Sequence, residues 1–182
     1  NQPAPIVDAP WTIARLLTWT TEFLTKQGVD DPRLATEVLL AHATGWRRID
    51  LYARFEKTLD PEPLAKFRGW VKRAADHEPV AYLVGHKEFF SLPFAVNADV
   101  LIPRPESETL VECLLDHCKL GGWAEPRILD VATGSGCLAI AALFNLPAAR
   151  AVATDISEGA LALARANAER NRVADRLDLV AA

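Results

Sequence analysis

The stretch RILDVATGSGCLAIAA, residues 127–142, decides the fold. It opens with a short apolar run of strand length, passes through small residues around Gly134 and Gly136, and continues into an apolar run of helical length. Downstream the alternation repeats: RAVATD (150–155) reads as a second strand, EGALALARANAERN (158–171) as a second helix, and LDLVAA (177–182) as a third strand. Strands that alternate with helices need crossover connections and form a parallel sheet. An α/β domain is therefore expected over residues 108–182, with RILDV as a buried strand.

Upstream the text is helical. In residues 11–28, Ile13, Leu16, Leu17, Phe23 and Leu24 recur at helical spacing, and Gly28 is placed to end the run. Asp31-Pro32 and Asp60-Pro61 each read as a capping residue followed by a first-turn proline. They predict a helix ending near Thr44 and another carrying Leu64, Phe67 and Val71 on one face. A helical domain is expected over residues 1–76, legible from Trp11 onward. Residues 77–107 then alternate aromatic and β-branched residues around Ser91–Pro93, predicting a connector with a β-hairpin. ESETLVECLLDHCKL restores a helix through Leu110, Leu114 and Leu115.

At 182 residues, half of them apolar, the chain has enough material for one full core, or a small core and part of a second. No run approaches the roughly 20 apolar residues of a membrane helix, and NQPAPIVDAPW lacks the pattern of a leader, so a cytoplasmic protein with no membrane partner is expected. Cys113, Cys118 and Cys137 show no C-x-x-C spacing, so neither a disulfide framework nor a metal site is expected. Charge is balanced over the first 80 residues, and the net charge of −4 falls on the remainder. That distribution disfavours direct nucleic-acid binding. His42, His77, His86 and His117 show no mutual spacing and read as structural.

Three ligand classes compete for the glycine loop. A phosphate loop needs Lys and Ser or Thr after its last glycine, where Cys137 and Leu138 stand. Gly134, Gly136 and Ala139 satisfy the permissive dinucleotide pattern, and Asp155 lies where a ribose-binding acid would, so an NAD(P)-binding oxidoreductase domain stays open. Asp130 argues for a different ligand. It ends the first strand, where a carboxylate would repel a pyrophosphate but attract the ammonium and sulfonium of a methyl donor.

The run D-x-x-T-G-S-G (130–136) resembles the first motif of class I S-adenosylmethionine-dependent methyltransferases. IPRPESE (102–108), with EPVAYLVGHKEFFSLPF (78–94), resembles the joining region of the release-factor glutamine methyltransferases, the HemK or PrmC family. The resemblance implies an N-terminal helical substrate-recognition bundle, a hairpin connector and a Rossmann-like methyltransferase domain, here in part. It also implies methyl transfer from S-adenosylmethionine, leaving S-adenosylhomocysteine, to the glutamine amide nitrogen (N5) in the GGQ motif of bacterial class 1 peptide chain release factors. The implied cofactor-binding residues are Asp130, Ala132, Thr133, Gly134, Ser135, Gly136 and Asp155. Phe90, Pro103, Arg104 and Glu106 are candidate substrate or donor contacts. The family's N-P-P-Y motif, which grips the amide, is absent from the sequence, so no catalytic residue is assigned; strand rhythm would place it about 15 to 25 residues past Ala182. Ala132 stands where the family carries Gly, and is expected to hold a conformation alanine tolerates while weakening donor binding. A monomer is expected. A non-catalytic fragment of that enzyme and a nucleic-acid amino-methyltransferase remain as alternatives.

Overall fold

The structure, a computed structural model, describes residues 10–182. Residues 1–9, on which the leader reading rests, lie outside the described residues. The chain divides into two compact units, 1–84 and 85–182, each with its own apolar core. Residues 77–107, expected as one connector, are split between them.

The first unit holds α1 (Ile13–Lys26), α2 (Pro32–Thr44), α3 (Arg48–Ala53), α4 (Pro61–Ala75) and α5 (Val80–Val84). Thr12 caps α1 by accepting from the Arg15 amide at 3.3 Å, and Gly28, at φ +73°, lies just past its end. The 3.6-residue repeat places Ile13, Leu17 and Leu24 of α1, Leu39 and Leu40 of α2, and Phe67 of α4 in one core. The two Asp-Pro signals are half right. Pro32 and Pro61 sit in the first turn, but neither Asp31 nor Asp60 caps through its side chain; Asp31 is itself left-handed, at φ +45°. α3 and α5 were not legible as helices, being too short to show a repeat. Glu37, nearly buried on α2, accepts from Arg33 at 2.8 Å, from Arg48 at 2.7 Å and from the Tyr52 hydroxyl, fastening α3 to α2. Burial by itself would raise the Glu37 pKa, but the hydrogen bonds from Tyr52, Arg48 and Arg33 outweigh it and hold the carboxyl below its ordinary range.

The second unit begins with an antiparallel hairpin, β1 (His86–Phe89) and β2 (Leu92–Ala95). Its turn is Phe90-Ser91, one position earlier than expected, with both residues left-handed (φ +50° and +59°). Two-residue hairpin loops demand such values because they match the twist of the strands. After a short 3₁₀ turn at Pro105–Ser107 come α6 (Glu108–Leu120), β3 (Arg127–Val131), α7 (Cys137–Asn145), β4 (Arg150–Asp155), α8 (Glu158–Arg170) and β5 (Leu177–Ala181). The three later strands form a parallel sheet, as the alternation predicted, and the structure orders them β3-β4-β5.

The core lies on one face of that sheet. Ala151 and Ala153 of β4 pack with Ala139, Ile140 and Leu143 of α7, Ala168 of α8, and Phe89 and Phe94 of the hairpin. Alanine on both partners lets helix and sheet approach closely. The opposite face carries Leu129 (66 % exposed), Val131 (69 %) and Val152 (38 %). RILDV is therefore not a fully buried strand among the described residues: its alternate side chains face a side that no described helix covers. Leu110, one of the three leucines that signalled α6, is 61 % exposed, and the helix buries Val111 and Cys118.

Candidate functional site

The glycine loop leaves β3 at the sheet's carboxyl end. Three of its five residues are left-handed: Ala132 (φ +59°), Gly134 (+56°) and Gly136 (+79°). The Thr133 amide donates to Thr154 O at 2.9 Å, carrying the strand pairing past Val131, and the Gly136 amide donates to Thr133 O at 3.0 Å to close the turn. Gly136 is doubly constrained, since a Cβ there would stand 2.8 Å from Ile140 Cδ1 and 3.2 Å from Ala164 Cβ. A Cβ on Gly134 would meet nothing within 4 Å, so the loop presents free space on that side. Ala132 adopts its left-handed conformation at a cost of about 1–2 kcal/mol.

Two carboxylates converge on this loop from neighbouring strands. Asp130 accepts a 2.6 Å hydrogen bond from the Thr133 hydroxyl, and no basic side chain is among its described partners. Burial pushes its pKa up; the Thr133 hydrogen bond opposes the shift, and the like charge of Asp155 adds to it. Asp155 accepts from the amides of Ser157 at 3.0 Å and Gly134 at 2.9 Å, and these backbone donors hold its carboxyl below the ordinary range. Each Asp155 oxygen spends one lone pair on the backbone and keeps another for a ligand hydroxyl. The Ser135 hydroxyl is buried without a partner. Burial also pushes the Cys137 thiol up, which makes it a poor nucleophile. Ile156, directly after Asp155, is 90 % exposed, an apolar side chain at the same strand end that the sequence reading did not single out.

The residues that hold the loop were also missed. Asn167 of α8, fully buried, accepts from the Ala95 amide at 2.7 Å and donates to Ala95 O at 3.1 Å and Ser135 O at 2.9 Å. It ties hairpin, loop and helix through one side chain. Asn171, one turn on, donates to Pro93 O at 3.1 Å and to Asn167 O at 2.9 Å. The available signal was a pair of asparagines at i, i+4 in the alanine-rich run ARANAERN. Thr133 acts on Asp130, which makes it a positioning group for that carboxylate.

No described hydrogen bond joins the other candidates to the loop. Phe90 lines a cavity of about 410 Å³ with Leu92, Glu108 and Phe144, and no glycine-loop residue takes part. Its amide donates to Glu108 Oε1 at 2.8 Å, so the last glutamate of IPRPESE pins the hairpin turn. Pro103 is buried, while Arg104 and Glu106 are exposed with no described side-chain partner. Among the described residues no group of three or more His, Cys, Asp or Glu could hold a metal, and no helix is long and apolar enough to cross a membrane.

The chain is similar in sequence to known proteins. The family described as "PrmC N-terminal domain" matches residues 15–85. A release factor glutamine methyltransferase of Rhodopirellula baltica is 45 % identical over 175 residues, which is 95 % of this chain and 59 % of that protein. One from Geobacter sulfurreducens is 45 % identical over 161 residues, 88 % of this chain and 55 % of its own length. The chain is a homologue of the release factor glutamine methyltransferases. It spans somewhat over half the length of these relatives. Residues 108–182 also match the family described as "Ribosomal protein L11 methyltransferase (PrmA)", so the second unit shares its sequence pattern with methyltransferases of more than one protein substrate. Among solved structures, the N-terminal domain of human METTL16 aligns with the whole chain and 58 % of its own, at 19 % identity and a TM-score of 0.43. The resemblance read from D-x-x-T-G-S-G and IPRPESE thus holds as kinship to the release factor glutamine methyltransferases.

Proposed function

We propose that the chain is the donor-binding and substrate-recognising part of an enzyme that transfers a methyl group from S-adenosylmethionine to the GGQ glutamine of bacterial class 1 release factors. The observation that carries this reading is the pair Asp130 and Asp155 on a loop with free space beside Gly134. Bound S-adenosylmethionine would supply an electrophilic methyl group on a sulfonium. Asp130, half-buried and with no cationic partner among the described residues, suits the positive end of that donor; Asp155, with lone pairs to spare, suits the ribose hydroxyls. Thr133 orients Asp130, and Ser135 and Gly136 keep the backbone close to the ligand. The sequence holds no N-P-P-Y motif, so no residue here is assigned to gripping the amide.

In this reading residues 1–76 recognise the protein substrate, 77–107 connect, and 108–182 bind the donor. The enzyme acts in the cytoplasm as a monomer, without a metal. An NAD(P) enzyme is the second reading, favoured by the spacing of Gly134, Gly136 and Asp155. The position of Asp130 counts against it, because a pyrophosphate at this loop would have to lie against a half-buried carboxylate of like charge.

Calorimetric titration of the chain with S-adenosylhomocysteine and with NAD tests both. Binding of the first alone, weakened at least about tenfold by D155A, is expected, since a carboxylate–hydroxyl hydrogen bond is worth roughly 1.5–3 kcal/mol. Tight NAD binding, or unchanged affinity in D155A, overturns the site.

A further inference from the structure

The helical unit contains an apolar cavity of about 460 Å³ between α1 and α4 that no step above uses. Its walls are aromatic: Trp11, Trp19 and Phe23 from the first helix and the residues leading into it, Phe67 from the fourth. Trp19 stands edge-on to Trp11 (centroids 5.8 Å apart) and stacked on Phe23 (5.2 Å), yet remains 49 % exposed. An indole this exposed, held rigid by two ring neighbours, is a preformed contact surface.

The same cavity is lined by Thr20, 1 % exposed, whose hydroxyl has no hydrogen-bond partner. Other helical threonines of this unit satisfy theirs within the helix. Thr25, Thr36 and Thr44 each return their hydroxyl to the carbonyl four residues back, at 2.7, 2.8 and 2.9 Å. Thr20 lies one turn after Leu16 and makes no such bond. A buried hydroxyl without a partner is destabilising, so a group supplied from outside would relieve the strain.

Charge around the mouth is one-sided. Arg68 and Lys72 of α4 line the cavity, exposed and without a carboxylate partner among the described residues; Arg15 lies over Trp11 at 4.3 Å; Asp76 is the one acid in the lining. On the same helix Lys66 and Arg73 are each paired with a glutamate, whereas Arg68 and Lys72 have no carboxylate among their described partners. An apolar, aromatic centre within a mainly basic polar rim is the anatomy of a protein interface.

We propose that this groove is the docking site for an acidic segment of the protein substrate, which inserts one apolar side chain between Trp19 and Phe67 and offers a polar group to Thr20. The proposal rests on the protein-substrate reading above and names the surface that reading requires. Carboxylates flanking the anchor pair with Arg68 and Lys72.

The test is calorimetric titration of the chain with a purified bacterial class 1 release factor, using wild type, W19A, R68E/K72E and T20V, with S-adenosylhomocysteine titrated into each. W19A and R68E/K72E are expected to weaken release-factor binding about tenfold or more, as central aromatic and paired-charge changes do, with S-adenosylhomocysteine binding unchanged. Binding by R68E/K72E should also lose the salt dependence of the wild type. T20V should raise the melting temperature, because the orphan hydroxyl is gone, and weaken release-factor binding several-fold. D155A should do the reverse of the groove variants, losing the small ligand and keeping the protein. If the wild-type chain binds the release factor and W19A, R68E/K72E and T20V all bind it equally well, the groove is overturned and the substrate reading survives. If the wild-type chain does not bind the release factor, both fall. Loss of affinity for a single-stranded RNA oligonucleotide in the same variants, with release-factor binding intact, assigns the groove to another class of partner and overturns the proposal.

Discussion

Replacing Ala132 with glycine should stabilise the protein, the opposite of what that exchange does in regular structure. Ala132 sits at φ +59°, where its Cβ crowds the backbone at a cost of about 1–2 kcal/mol. Glycine removes that cost, but loosens the unfolded chain by about 0.4–1 kcal/mol. The balance is a gain of roughly 0.5–1 kcal/mol, whereas alanine to glycine inside a helix loses about 1 kcal/mol. Tryptophan fluorescence is a poor reporter here, because only Trp123 lies in the second unit. Hydrogen exchange of the β3 and α7 amides reads the right unit, and their slowest protection should rise in A132G. A132V is the matched control: a β-branched residue at this φ should lower protection by more than the glycine raises it. S-adenosylhomocysteine should bind A132G more tightly, since the exposed methyl no longer narrows the approach. Lower protection in A132G, by about the 1 kcal/mol of an ordinary alanine-to-glycine change, would refute the strain argument.

N167L should cost about 3 kcal/mol, because it strands the Ala95 amide and the Ala95 and Ser135 carbonyls in the core; thermal melts and S-adenosylhomocysteine titration should fall together, and a neutral variant would remove Asn167 as the tie. D130N should raise stability at neutral pH. The folded pKa of Asp130 is raised, so its contribution is fully present below the unfolded value near 4 and is lost as pH rises through the folded value; the gap between variant and wild type should therefore widen on that rise and close in acid. Donor binding should nevertheless weaken in D130N, and a variant both less stable and fully binding would contradict the assignment. E37Q should destabilise the helical unit by about 2 kcal/mol, reduced from the value for a fully buried pair because Arg33 and Arg48 are half exposed. Since the Glu37 pKa is lowered, that advantage exists above the unfolded value near 4.3 and should vanish as pH falls through the folded one in urea titrations followed by tryptophan fluorescence.

The sequence determined what depends on near neighbours along the chain. The 3.6-residue repeat set α1, α4 and α6; the Asp-Pro steps located the starts of α2 and α4 through the fixed φ of proline; and strand-helix alternation set α7, α8 and the parallel sense of β3, β4 and β5. The placement of the loop from Asp130 to Gly136, and of Asp155, at the carboxyl ends of neighbouring strands was legible because it follows from the strand-loop-helix order. The tertiary structure decided what depends on distant partners. Asn167 became a hub only when Ala95 and Ser135 were folded against it, and Glu37 a junction only when Arg48 and Tyr52 arrived from α3. Ala132 looked tolerable until the turn imposed a left-handed φ, and Leu129 looked buried until the helices settled on the other face of the sheet. Periodicity reports which residues share a face; which face is covered, and which polar groups are left unpaired in the core, depends on long-range packing and hydrogen bonding that no short stretch of sequence carries.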